Sequence, residues 1–353
     1  MPPMNGATGP RAGQRFDVDR RRLVKAAAVG AGLAAWPLTG AAAAAPARLR
    51  DSRPLMGTQV DIAVESADAE LLRPAVNAAY GRMASLTSVM SHYEPTSRVS
   101  AIGLAAGLIP VPVPPELMQV LQMAQAVSRR SDGAFDVTIG SVGRWHFDPQ
   151  DPQMPTPAYI AQHLPDVDYR HLVLDARAGT AKLMRRGMRV DPGGIAKLYI
   201  LAAGIDALKQ HGLDTALING GGDVVAVSHP AAAPWRVGIR DPREPARLLG
   251  SLDLRQGFVA SSGDYERCFI RDGRRYHHVL DPKTGYPAQG PHGVTLVGDE
   301  LAALNGLGAA VMVLGIDQGR ELIRHTAGIE GLIVGRDGDG WITPSLRNRL
   351  IAA

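Results

Sequence analysis

Apolar side chains recur along this chain with two spacings, and the spacing marks where each kind of element forms. Residues 59–64 alternate apolar and polar, which predicts a strand with one buried face. From 71 to 86 the apolar positions fall three and four apart, predicting an amphipathic helix. Residues 116–129 repeat that pattern, with Leu117, Val120, Leu121, Ala124 and Val127 along one side. A third helix is predicted over 195–210, just after Gly193-Gly194, and a buried one over 301–314. Short strands are predicted at 171–174, 181–190, 216–218, 224–227, 235–239, 251–254, 258–260, 268–271, 277–280, 331–334 and 340–343. Residues 107–115 read as a strand or extended piece with a proline stop, and 146–170, rich in Pro, Asp and His, as a surface loop. Strands and helices mix irregularly, so the expectation is a sheet-rich α+β fold rather than a regular βαβ array. No linker divides residues 48–353, which are read as one domain.

Charge changes the picture only when it is split. Six of the 38 Lys and Arg, and two of the 34 Asp and Glu, lie in residues 1–47, leaving 32 of each sign in the remainder. A nucleic-acid partner loses its electrostatic basis once the body is neutral. The leader itself reads as an export signal. Asp19-Arg20-Arg21-Arg22-Leu23-Val24-Lys25 is a twin-arginine motif, residues 26–47 are uncharged, and Ala45-Pro46-Ala47 offers small residues for cleavage. A membrane anchor is the competing reading of that uncharged stretch. Its Ala and Gly content and Pro37 speak against one. The expectation is a cleaved twin-arginine signal over 1–47, a periplasmic product and no stable membrane span. The single cysteine, Cys268, excludes a disulfide framework and a cysteine-built metal site.

Candidate chemistry is concentrated in a few short segments. Asp191-Pro192-Gly193-Gly194-Ile195-Ala196-Lys197 joins a predicted strand to a helix, where glycines allow close backbone approach and free amides attract phosphate. Asn219-Gly220-Gly221-Gly222-Asp223 is a second glycine turn ending in a carboxylate. Ser261-Ser262-Gly263-Asp264-Tyr265 and His277-His278-Val279-Leu280-Asp281-Pro282-Lys283-Thr284-Gly285 are more unusual. The last gathers two histidines, an acid, a lysine and a hydroxyl, and on a strand the two histidines face opposite sides.

With Met56-Gly57-Thr58, Met90-Ser91-His92-Tyr93-Glu94-Pro95-Thr96-Ser97 and Asp132-Gly133-Ala134-Phe135-Asp136-Val137-Thr138, these segments, in this order, resemble the ApbE family of FAD:protein FMN transferases. The resemblance runs from about Leu55 to Gly315. It implies a two-lobed α+β fold, with mixed β-sheets flanked by helices and FAD in the cleft. It also implies a Mg²⁺-dependent transfer of FMN from FAD to a Thr or Ser hydroxyl of a partner protein, releasing AMP. By resemblance, Met56, Tyr93, Ala134, Phe135, Asp136, Asp191, Lys197, His277 and Thr284 would contact the FAD, and the Gly194 carbonyl and Asn305 would meet the metal. His278, with His277 and Lys197, is the candidate for proton transfer or phosphate contact near the chemistry.

Several positions depart from the family pattern. Asn305 and Ala309 stand where relatives carry an acid and a threonine for the metal, Leu198 stands for a glycine and Ala202 for an acid. Mg²⁺ favours anionic oxygen, so FAD binding is better supported than transfer. Three functions follow as expectations: a flavin transferase serving a flavoprotein of a respiratory or electron-transfer system, a FAD carrier or holding protein with a degraded metal site, or a Mg²⁺-dependent FAD hydrolase.

Overall fold

The computed structural model describes residues 46–352. The twin-arginine motif and nearly all of the leader lie outside the described residues. Strands Ala47–Leu55 and Thr58–Ser66 form an antiparallel hairpin across Met56-Gly57. Both turn residues have positive φ, 54° and 69°, the backbone of a two-residue hairpin turn. The second strand pairs with Ala216–Gly220. From there one sheet grows in chain order through Asp223–Val227, Gln256–Gly263, Gly293–Gly298, Ile329–Val334 and Gly340–Ile342, eight strands in all. Every strand pair among the described residues is antiparallel. The α+β class therefore holds, with sheets that are antiparallel rather than mixed in strand direction.

Two layers cover this sheet. Helices Leu72–Met90, Pro115–Arg130, Gly193–Gln210 and Leu307–Arg324 bury their apolar sides in one large core with Ile62, Ile218, Val225, Val294 and Leu296. The hairpin Trp235–Arg240 with Leu248–Leu254 packs Val237, Ile239, Leu252 and Leu254 against Val224, Ala226, Val259 and Val297. Asp223–Val227 and Gly293–Gly298 are consequently buried along their whole length. That explains why their sequences do not alternate apolar and polar, since a strand covered on both faces has no reason to.

Four sequence expectations need correction. The expected strand at 107–115 shrinks to Val111–Pro112. The loop at 146–170 contains helix Pro157–His163, started by a proline and capped by the Thr156 hydroxyl. The strand expected to begin at 277 instead ends there, as Arg274–His277. The single helix at 301–314 is broken: Leu301–Leu304 stops at Asn305 (ψ 129°), Gly306 takes φ 77°, and a new helix starts at Leu307. Among the described residues no helix is long and apolar enough to cross a membrane.

Candidate active site

The glycine turns and loops singled out in the sequence converge at one end of helix Gly193–Gln210. Its N-cap is Pro192, which contributes no side-chain hydrogen bond, so the carboxylate of Asp191 caps the positive end of this eighteen-residue helix instead. Asp191 braces the entry. One carboxylate oxygen accepts from the Gly193 amide at 2.8 Å and pairs with His92 Nδ1 at 3.1 Å. Burial would raise the Asp191 pKa, yet His92, the Gly193 amide and Arg267 together hold it below the usual carboxylate range. Lys197, one turn into the helix, lies 3.1 Å from Asp223. The other Asp223 oxygen accepts from the Ser261 amide at 3.0 Å. Thr58 packs against Gly221, where an added Cβ would meet its Oγ1 at 2.7 Å, so the Met56-Gly57-Thr58 turn is pressed onto the second glycine turn.

His278 follows directly after strand Arg274–His277. Burial, then the nearby Arg267, His277 and Lys197, push its pKa down to about 3. Its Nδ1 is buried with no partner. A neutral imidazole carrying an unpaired nitrogen, between a lysine and an arginine, can take a proton from a hydroxyl once an anion offsets those cations. His277 is different. It is 1% exposed and its Nε2 donates to the Ala288 carbonyl at 2.9 Å. That hydrogen bond ties the strand to the segment after Asp281-Pro282-Lys283-Thr284-Gly285. Burial lowers its pKa too.

The remaining expected residues divide. Tyr93 is 68% exposed, lies against the His92 ring at 3.8 Å and accepts from Arg267 Nη2 at 2.9 Å. It forms one wall of the site. Met56 sits at the hairpin tip, partly buried against the main core. Phe135 packs under the helix start, its ring edge 3.1 Å from where a Gly194 Cβ would lie. Ala134 is buried beside it. Asp136 has both oxygens engaged within the chain, by Thr138 and by the Tyr169 amide at 2.8 Å, so it shapes the loop under the site. Thr284 is exposed and accepts from the Tyr286 amide. His92, Arg267 and Ser261 were not anticipated as site residues. Arg267 follows the Gly263-Asp264-Tyr265 motif by two positions, but nothing in the sequence links it to Tyr93, 174 residues earlier.

The donor set for a divalent cation does not fit. Asn305 donates Nδ2 to the Ile195 carbonyl at 2.7 Å, and Ala309 presents a methyl 3.9 Å from the Gly194 Cβ position. Among the described residues no three His, Cys, Asp or Glu cluster as metal ligands would.

Comparison with known proteins gives the family. The family model described as the ApbE family matches residues 56–333. A FAD:protein FMN transferase of Treponema pallidum is 33% identical over 266 residues, 70% of this chain and 73% of that protein. One of Klebsiella pneumoniae is 33% identical over 246 residues, 69% of this chain and 76% of that protein. Among solved structures, the ApbE protein of Thermotoga maritima has a TM-score of 0.77 at 30% identity, covering 86% of this chain and 99% of its own. The flavinyl transferase ApbE of Pseudomonas stutzeri, in its apo form, gives 0.74 at 27%, covering 88% and 98%. With a family model spanning the hairpin turn, both glycine turns and the His277-His278 segment, the chain belongs to the ApbE family.

Proposed function

We propose that this chain is a FAD:protein FMN transferase. The observation that carries the reading is the placing of Lys197, one turn into helix Gly193–Gln210, and of Arg267, whose carbonyl accepts from the His278 amide, close to a neutral His278. Bound FAD supplies the pyrophosphate to be split, and its FMN phosphorus is the electrophile. The acceptor Thr or Ser oxygen attacks that phosphorus, the P–O bond to AMP breaks, and AMP leaves. In this proposal Lys197 and Arg267 meet the charge on the phosphate oxygens, as cationic clamps do in phosphoryl transfer. His278 takes the hydroxyl proton. Asp191 and His92 hold the helix entry, while Tyr93 offers an aromatic face to a flat ring. Asp223 orients Lys197. No step is routed through Mg²⁺, because Asn305 and Ala309 offer it no anionic oxygen. That same departure is the one observation favouring a second reading, a FAD-holding protein.

The leader adds a location: we propose export by the twin-arginine route, with the acceptor a periplasmic flavoprotein of an electron-transfer system. The test is to incubate purified protein with FAD and an exported flavoprotein domain, then weigh the products. A transferase leaves FMN covalently on the domain and frees AMP. Free FMN and AMP with an unmodified domain would mean hydrolysis, and intact bound FAD would mean a holding protein.

A further inference from the structure

The two-stranded sheet of Cys268–Arg271 and Arg274–His277 stands apart from the eight-stranded sheet, and its sequence is not explained by folding alone. We propose that this hairpin is the docking surface for the acceptor polypeptide, which lies along it as an extended, acidic segment carrying the hydroxyl to be modified. The proposal rests on the transferase reading above.

Position is the first argument. The register Cys268↔His277 is extended one step by the His278 amide, which donates to the Arg267 carbonyl at 3.1 Å. A chain laid along this sheet is therefore led to the residue proposed to take the proton. Each hairpin strand has only one strand neighbour among the described residues, and an open strand edge offers amides and carbonyls to an added strand.

Charge is the second. Arg267, Arg271 and Arg274 are exposed, and none of them is ion-paired with a carboxylate among the described residues. Glu266 is taken by Arg240 at 3.3 Å, and Arg275 turns inward to the buried Asp264 at 2.7 Å. Asp272, in the turn, is the one exposed acid of the hairpin itself, against the exposed Arg271 and Arg274. Since the chain beyond the leader carries 32 charges of each sign, this excess is local.

Stiffness is the third. Phe269 and Tyr276 stack at 5.2 Å, Phe147 lies 6.2 Å from Phe269, and Trp145 lies 6.1 Å from Tyr276. Asp264 joins the hairpin to the main sheet through Arg275 and His292. A preformed surface loses little entropy when a partner settles on it. Ile270, 70% exposed on strand Cys268–Arg271, gives that partner an apolar contact.

The test uses the full FAD-loaded chain and three synthetic peptides with a central threonine, flanked by Asp and Glu, by Ser and Gly, or by Lys and Arg. Binding is read by fluorescence anisotropy. The acidic peptide should bind about tenfold tighter than the neutral one at low salt and lose that advantage at roughly 0.5 M salt. Arg271→Glu with Arg274→Glu should transfer the preference to the basic peptide, with FAD affinity unchanged. The milder Arg271→Gln with Arg274→Gln should abolish it. Equal binding of the three peptides, or a preference that survives charge reversal, overturns the proposal. An acidic peptide that docks but is never modified instead counts against the transferase reading and leaves the docking surface standing.

Discussion

His278 is where acidity acts on this protein most directly. Its pKa of about 3 in the native chain lies below the ordinary histidine value of 6.5. Between those two values the unfolded chain binds a proton that the native chain refuses, so stability falls as pH falls through that window. His277, also lowered by burial, adds to the slope with the same sign. The melting temperature should therefore drop from pH 7 to pH 4.5, and His278→Gln should flatten the decline without removing it. Transfer by that variant should fall by about 10²–10⁴, the usual contribution of a proton-transfer group, while FAD affinity changes little. Filling the site with pyrophosphate should move the His278 titration upward, because Lys197 and Arg267 then face anions. Ring proton shifts measured with and without FAD check this, and an unmoved titration would place the phosphates elsewhere.

At the scale of the element, the break between Leu301–Leu304 and Leu307–Arg324 decides what can be done about the missing cation site. Asn305→Asp replaces a donor to the Ile195 carbonyl with an oxygen facing an oxygen. The variant should lose roughly 1–3 kcal/mol, the cost of an unmet buried polar group. Together with Ala309→Thr it should gain a melting temperature that rises with Mg²⁺ and a faster transfer, whereas the unaltered protein should show no Mg²⁺-dependent melting. If the unaltered protein is itself stabilised at micromolar Mg²⁺, other ligands hold the ion. The break also marks how far a sequence could be read here. Helices 72–90 and 115–130 were legible because each buries one apolar stripe, and 193–210 because a long apolar run follows the Gly193-Gly194 start. Residues 301–314 are apolar nearly all round, so periodicity could not register a residue in extended conformation at Asn305. Only Gly306, with its left-handed φ, hinted at a stop. In the site, Lys197 and His278 stood out through local motifs. Arg267 and His92 did not, because their partners, Tyr93 across 174 residues and Asp191 across 99, are brought close only by the fold.

For the whole molecule, the leader makes one demand that can be tested in cells. If Arg20-Arg21 is the export address, replacing both with lysine should leave precursor in the cytoplasm, as fractionation and mass measurement would show. Mature protein at its normal periplasmic level would defeat that assignment. The order of the main sheet bears on how such a chain is made. Strand Thr58–Ser66 pairs on one side with its hairpin partner and on the other with Ala216–Gly220, after the 149 residues 67–215 have intervened. At ribosomal speeds of about 5–20 residues per second that interval lasts roughly 8–30 s. Throughout it a nascent strand shows an unsatisfied edge to every other nascent copy. Asp61 and Glu65 lie on that strand; Glu65 is neutralised by Arg48 of the hairpin partner, so Asp61 is the charge on it that opposes edge-to-edge joining of newborn chains before the third strand arrives.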